Sequence, residues 1–468
     1  MNLMNITNIL RTGVLATLAF AAINATATGI DENAARNAAM SFLQRNKTAT
    51  FKAPSTTAVR LAHAEAMTAG GNAYYVFNID GGGWVIIAGD DRANSVLAYN
   101  DKGSIDMNNL PSNMKGYMNM YKNQIEFMKD YKGEVVPLKT ANRREPIGPL
   151  MKTDWAQSNP FNLQCPMLSG GLSIVGCAGL AMAQILNYWE YPKECSGLPS
   201  YRNEYNSTYL PSLPATTFDY DLILDHYSIW RNDTLFLLRT TQEEKDEVAK
   251  LCRYASQSCR MNFSPDGSGS TVTKQKHGFV EMGFSDDAKI VGIYAWPTRE
   301  TWNTEDYSDE DWVALMTAQL EAHHPIPYSV ENDDGHAFVI DGIDADGLFH
   351  INWGWYGKCD GWFQYGAFDV TPSGNTTLHY NDYAFMIIDL YPYEGYVSPN
   401  DPSGGDIMYG DLNDDGVINI TDVTMLVNIV MSENPDSASV PAADFDQNGV
   451  VNITDVTMLI NYVMSLTE

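Results

Sequence analysis

The apolar positions of the chain repeat with different periods, and the changes of period divide it into segments. The stretch DENAARNAAMSFLQRN, residues 31–46, carries its apolar residues at helical spacing. In AYYVFNIDGGGWVIIAGDDR, residues 73–92, two runs of β-branched and aromatic residues flank Gly81, Gly82 and Gly83, which predicts a hairpin. LPSNMKGYMNMYKNQIEFMKDYKG, residues 110–133, reads as a second helix. Together these predict a small α+β unit with no evident chemistry of its own. The more basic, proline-marked stretch LKTANRREPIGPL then separates it from the central region, an exposed segment of the kind that proteases attack.

The central region runs from Met151 to Tyr393 and holds most of the tryptophans. In SIVGCAGLAMAQILNYW, residues 173–189, the positions Leu180, Ala181, Ile185, Leu186 and Trp189 fall largely on one face, so a helix is expected to start near Cys177. Further on, AFVIDGI and LFHINWGW flank Asp344-Ala345-Asp346-Gly347, a second hairpin pattern. YEGYVSPNDPSGGD reads as a linker. Beyond it the chain repeats itself: GDLNDDGVINITDVTMLVNIVMS is followed by ADFDQNGVVNITDVTMLINYVMS. Each copy ends in a helical pattern, with Val423, Leu426, Val427 and Val430 on one apolar face and Val456, Leu459, Ile460 and Val463 on the other copy's.

Charge adds to this picture. The formal net charge of −29 argues against nucleic acid or an anionic membrane as partner. From Asp401 onward there are twelve Asp and Glu and no Lys or Arg, a cluster that needs solvent or cations. At the other end, Arg11 precedes an apolar run from Val14 to Ile23 and then Ala25-Thr26-Ala27, the layout of a secretory signal with its cleavage site. That run is too short to span a bilayer, and no later segment is apolar enough, so a soluble exported protein is expected. Six cysteines, Cys165, Cys177, Cys195, Cys252, Cys259 and Cys359, permit disulfides in such a protein without specifying any pairing.

The repeat has calcium-loop spacing. Asp411, Asn413, Asp415, Asn419 and Asp422 occupy positions 1, 3, 5, 9 and 12 of a loop, with Gly416 at the turn and Val417 offering its backbone carbonyl. Asp444, Asp446, Asn448, Val450, Asn452 and Asp455 repeat the set. Position 12 is Asp instead of Glu, and no convincing helix enters the first loop, so these are loop-plus-helix halves. Two structural calcium ions are expected. The tail resembles a dockerin domain, and the resemblance implies docking to a cohesin-type scaffold protein. Positions 10 and 11 of the loops are Ile420-Thr421 and Ile453-Thr454, which leaves the partner class open.

Cys177 by itself reads equally as a packing residue or as a nucleophile. A helix N-terminus, with its free N–H groups and partial positive charge, favours a thiolate. A base is then required, and His336, opened by Gly335 at the start of AFVIDGI, is the candidate. In a hairpin folded symmetrically about residue 344, His336 and Asn352 become neighbours, and an amide there would fix the imidazole tautomer. His350 shares strand parity with Asn352 but reads more simply as a structural residue. Trp353 and Trp355 would be core or a shield for the imidazole. For the oxyanion, the Cys177 N–H and the Gln157 side chain are the candidate donors.

DWAQSNPFNLQCP, VGCAGLAMAQILNYWEYP and GHAFVIDGIDADGLFHINWGWYG together resemble the streptopain family of secreted bacterial cysteine peptidases, relatives of papain. YYVFNIDGGGWVIIAGDDR resembles that family's inhibitory propeptide. The resemblance implies Cys177 as nucleophile, His336 as general base, Gln157 in the oxyanion site, and Asn352 with Trp353 around the histidine. It also implies endopeptidase action with an apolar preference two residues before the cleaved bond. Two positions depart from the family pattern: GCAGLA stands for the usual GCVATA, and Tyr356 stands where glycine is common. The expected organisation is α+β throughout the first two folded units: signal peptide 1–27, propeptide 28–146, papain-like peptidase 147–395, linker 396–406 and an all-α dockerin 407–468. The expected protein is a secreted bacterial zymogen, extracellular or at the cell surface. It acts on proteins or peptides and needs no catalytic cofactor. The alternatives are a Cys-His acyl transferase of the same clan, and a scaffold-docked inhibitor or adhesin without enzymatic activity.

Overall fold

The structure is a computed structural model that describes residues 29–46, 59–130, 145–231, 234–293, 307–331, 335–367, 383–392, 410, 412, 418, 420–431, 441–443, 445 and 451–465. The expected leader and the expected linker lie outside these residues.

A single ten-stranded antiparallel sheet organises the chain. Its strands are β1 (Val59–Ala66), β2 (Asn72–Ile79), β3 (Trp84–Ala88), β4 (Val96–Asn100), β5 (Lys289–Ile293), β6 (Ile326–Glu331), β7 (His336–Ile343), β8 (Phe349–Asn352), β9 (Gly361–Phe363) and β10 (Tyr383–Ile388). Their order is β1-β2-β3-β4-β9-β8-β7-β6-β10-β5. The hairpin expected around Gly81 to Gly83 is β2–β3. The sequence predicts two separate units here. In the fold, β4 pairs with β9 through Ala98↔Phe363 and Tyr99↔Trp362, so one ladder runs through both.

Helix α1 (Glu32–Arg45) is capped by Asp31, which accepts from the Ala34 amide at 2.8 Å. Its Ala35, Ala39, Phe42 and Leu43 pack on one face of β2–β4, against Tyr75, Phe77, Val85, Ile87 and Tyr99. Helix α2 (Ser112–Asp130) belongs to the larger core on the other face, with Val76, Ile86 and Ala98. Covering on both faces explains why β2 and β3 read as nearly unbroken apolar runs.

Helix α3 (Cys177–Trp189) is buried from Ala178 to Trp189, so it is a central helix and not the one-faced helix that the spacing suggests. The mostly apolar and small-residue composition suits such a position, and its buried Gln184 is paired with Thr153 and Asn352. Helix α4 (Gln242–Ser258), closed by a Thr241–Glu244 capping box, and α5 (Val272–Glu281) flank it, and Ser256 Oγ donates to the Val175 carbonyl at 3.0 Å. Cys252 and Cys259 are buried packing residues, and none of the six cysteines forms a disulfide among the described residues. Helix α6 (Asp309–Glu321) lies against β6 and β7.

In the tail, α7 (Ile420–Met431) and α8 (Ile453–Ser465) share a small core of their own, with Val423, Leu426, Val456 and Leu459 buried. Ile460, expected on that face, is exposed. Among the described residues no helix is long and apolar enough to cross a membrane.

The seam between the two halves of the sheet depends on α2. Tyr121 donates to the Leu97 carbonyl at 2.9 Å and the Gln364 carbonyl at 2.6 Å, one on each side of that seam. Each carbonyl keeps a second donor, the Gln364 amide at 2.8 Å and the Tyr117 hydroxyl at 3.0 Å, so replacing Tyr121 by Phe removes one shared hydrogen bond at about 0.5–1.5 kcal/mol. Tyr121→Phe should lower the urea midpoint accordingly; an unchanged midpoint would show that the seam does not need this hydroxyl.

Candidate active site

Chain direction at Cys177 is set by Gly176, which has φ +86°. A Cβ at that position would approach Met261 Sδ to 2.5 Å and the Ser268 carbonyl to 3.0 Å, so only glycine fits. No side chain caps α3, which leaves its first N–H groups directed at the thiol and at whatever approaches it. The Cys177 thiol meets three backbone amides, those of Ala337, Ala178 and Cys177 itself. Burial pushes its pKa above the ordinary thiol value, and the three amides pull in the opposite direction.

Ala337 directly follows His336, so this contact brings the head of β7 to the head of α3. His336 is half-buried and pairs with Val330 across β6. It lines an apolar cavity with Tyr328, Val330, Phe338 and Ala384, and α2 closes that cavity with Asn113, Gly116 and Tyr117. Gln157 is brought to the same place by backbone pairing. Its carbonyl accepts from the Val175 amide at 3.0 Å, two residues before the thiol, while Ala156 bridges to Trp355.

Asn352 differs from expectation. Asn352 pairs with Val339 instead of standing opposite His336, and the irregularity between Ile340 and Gly342 changes the β7–β8 register by one residue only. Its Nδ2 donates to the Thr153 carbonyl at 2.7 Å. Its Oδ1 accepts from Gln184 Nε2 at 3.3 Å and from the Gly354 amide at 3.0 Å. Asn352 thus ties α3, β8 and the segment leading to Gln157 together. The symmetric-turn argument fails because the turn is centred on residue 346 and not on 344: Ile343 pairs with Phe349, and the Asp344 amide donates to the Leu348 carbonyl at 2.8 Å.

Trp353 is buried core and packs against the strand of the histidine, with its ring 4.9 Å from Phe338 and 5.8 Å from Tyr117 of α2. Its carbonyl accepts from Asn113 Nδ2 at 3.0 Å. Trp355, by contrast, is partly exposed. His350 is the structural strand residue its setting implies, with Nδ1 2.6 Å from Asp341 Oδ1. Sequence reasoning missed the Ala337 amide, which has no residue-type signature, and the α2 residues Asn113 and Tyr117, which look like ordinary polar positions of a surface helix.

In the tail, Asp422 and Asp455 are fully buried in the first turns of α7 and α8. Asp422 Oδ1 accepts from the Leu412 amide at 2.9 Å and Asp455 Oδ2 from the Asn452 amide at 2.8 Å. Asn452 stands beside Asp455. The other expected ligands, Asp411, Asn413, Asp415, Val417, Asn419, Asp444, Asp446, Asn448 and Val450, lie outside the described residues. A buried carboxylate at the end of each acidic loop is a hard-oxygen donor that fits a calcium ion.

Comparison with known proteins agrees with this arrangement. Residues 155–363 match the Peptidase C10 family, residues 27–125 the Spi protease inhibitor family and residues 409–464 the type I dockerin domain. Streptopain of Streptococcus pyogenes is 27% identical over 392 residues, which cover 77% of this chain and 92% of streptopain. The thiol protease/hemagglutinin PrtT of Porphyromonas gingivalis is 27% identical over 308 residues, 62% of this chain and 33% of that protein. The solved structure of a fragment of Prevotella intermedia prointerpain A superposes with a TM-score of 0.54 at 26% identity, covering 70% of this chain and 98% of that one. The chain therefore carries a streptopain-like peptidase C10 domain between a Spi-type inhibitor domain and a dockerin domain, and it is a cysteine-type endopeptidase made as a zymogen.

Proposed function

We propose that Cys177 is the nucleophile and His336 the general base of this peptidase. The observation that carries the reading is the contact of the Cys177 thiol with the amide next to His336, which joins the start of a central helix to the start of a sheet strand. His336 takes the thiol proton as sulfur attacks the peptide carbonyl carbon. Negative charge then forms on the carbonyl oxygen, for which the Cys177 N–H and the Gln157 amide are the donors. The C–N bond breaks, the leaving amine takes the proton from His336, and a thioester remains. Water attacks the thioester, His336 accepts its proton, and the acid leaves as the thiol is re-formed. Trp353 walls the strand of the histidine, and Asn352 holds that wall to α3.

The inhibitor unit bears on this site directly. Asn113 and Tyr117 of α2 sit on Trp353 and over the cavity beside His336. With α2 closing the cavity beside His336, the described state is the covered one. The proposed boundaries are a signal peptide at 1–27, a propeptide at 28–146, a peptidase domain at 147–395, a linker at 396–406 and a dockerin at 407–468. The enzyme is exported and works outside the cell or at its surface. Its tail takes two structural calcium ions and docks to a cohesin-type scaffold.

Replacing Cys177 with Ala should reduce peptide hydrolysis by at least about 10⁴-fold without lowering the unfolding temperature. Retained hydrolysis would refute the assignment. Separating residues 28–146 from the rest should raise turnover on a short peptide, and equal turnover before and after processing would count against inhibition by α2. Calcium removal with a chelator should lower the far-ultraviolet helical signal of the full chain, and added calcium should restore it. The double substitution Asp422→Asn and Asp455→Asn should abolish that response. An unchanged spectrum on chelation would overturn the calcium assignment.

A further inference from the structure

Two buried carboxylates and a partly buried imidazole gather beside Trp353: Asp341 on β7, Asp360 just before β9 and His350 on β8. His350 Nδ1 lies 2.6 Å from Asp341 Oδ1. Asp341 Oδ2 accepts from the Met151 amide at 3.0 Å, and its carbonyl accepts from the Leu150 amide at 2.7 Å. Asp360 Oδ1 accepts from the Trp353 amide at 2.9 Å, and its carbonyl accepts from Asn100 of the inhibitor unit. Each segment that carries a group of the site therefore ends on this cluster: β7 with His336, β8 with Asn352 and Trp353, and the segment running from Met151 to Gln157. Burying two carboxylates and an imidazole is costly unless each is paired, so the arrangement is held only while the charges match.

We propose that Asp360 and His350 are positioning residues for the peptidase reaction, holding the Trp353 backbone and tying β8 to β7 through Asp341, and that this hold depends on the ionised Asp360 carboxylate. The proposal rests on the assignment of Cys177 and His336 as the reacting pair. Burial pushes the Asp360 carboxyl up to about 7, against the opposing pull of the Trp353 amide and His350. Burial disfavours charge on His350, and Asp341 and Asp360 outweigh it, so its pKa stands above the ordinary imidazole value. Asp341 and Asp154 act on Asp360 from neighbouring segments, and Lys102 acts on His350. Below neutral pH Asp360 takes up a proton and the Trp353 N–H loses a charged acceptor; above it the hold is complete. The sign for stability is the opposite. The folded chain keeps a proton that the unfolded chain releases at the usual carboxylate pKa, so this group's contribution falls as pH rises from there to about 7.

The test uses the full chain and its Asp360→Asn and His350→Gln variants, each processed by an added serine protease that is then inhibited. Turnover of a short peptide is followed against pH. Asp360→Asn should lower kcat about tenfold, leave KM within about twofold, and remove one near-neutral ionisation from the kcat profile. His350→Gln should move that ionisation. An unchanged kcat, or a lowered kcat with the same ionisations as the unsubstituted enzyme, would overturn the proposal. Infrared spectra of the unsubstituted protein give a readout that does not depend on a variant folding. A buried carboxylic acid band should disappear in step with the rise of kcat, and its absence would equally overturn it. Failure of the Cys177 assignment is distinguishable, because it would appear as hydrolysis surviving Cys177→Ala.

Discussion

The rest of the structure depends on the meeting of two chain ends that are far apart in sequence: the first turn of α3 and the first residues of β7. A helix start presents unpaired N–H groups, and a strand start presents another at Ala337. Cys177 lies between them. Because α3 is buried along its whole length, and β7 is paired on both sides by β6 and β8, neither end can shift without disturbing the core. The Cys177 thiol is thereby placed in a rigid frame, with Gly176 packed against Met261 and the Ser268 carbonyl.

The inhibitor unit uses that same frame. Its sheet adds to the peptidase sheet through β4 and β9, and α2 lies against Trp353 and the cavity beside His336. The cavity beside His336 is thus covered by an element whose own core continues the larger core. The linkage between Asn100 and the carbonyl of Asp360 runs from this added sheet into the buried charge cluster behind Trp353.

The tail is organised by a different force. Its small core buries only a few Val and Leu side chains, and each acidic loop closes on a carboxylate that is itself inaccessible. Such a module has little apolar surface with which to hold two buried carboxylates unaided, a setting that a divalent cation of the kind dockerin domains bind would stabilise.

Much of this was legible in the amino-acid order. Apolar, β-branched and aromatic runs on either side of Gly- or Asp-rich turns marked β2, β3, β7 and β8, helical spacing marked α1, α2, α7 and α8, and the spacing of Asp and Asn marked the paired loops, because these patterns are local. The start of α3 at Cys177 was legible for the same reason, as were His336 and Gln157 as candidates. Tertiary structure decided what no local pattern encodes. A turn centred on residue 346, with one bulge beyond it, set Asn352 opposite Val339, and only the folded sheet shows it, since register is fixed by backbone pairing across the hairpin. The addition of β4 to β9, the placement of α2 over the site, and the gathering of Asp341, His350 and Asp360 all join residues distant in sequence. Such contacts are selected by the packing of whole elements, and the residue types involved look ordinary until the chain is closed.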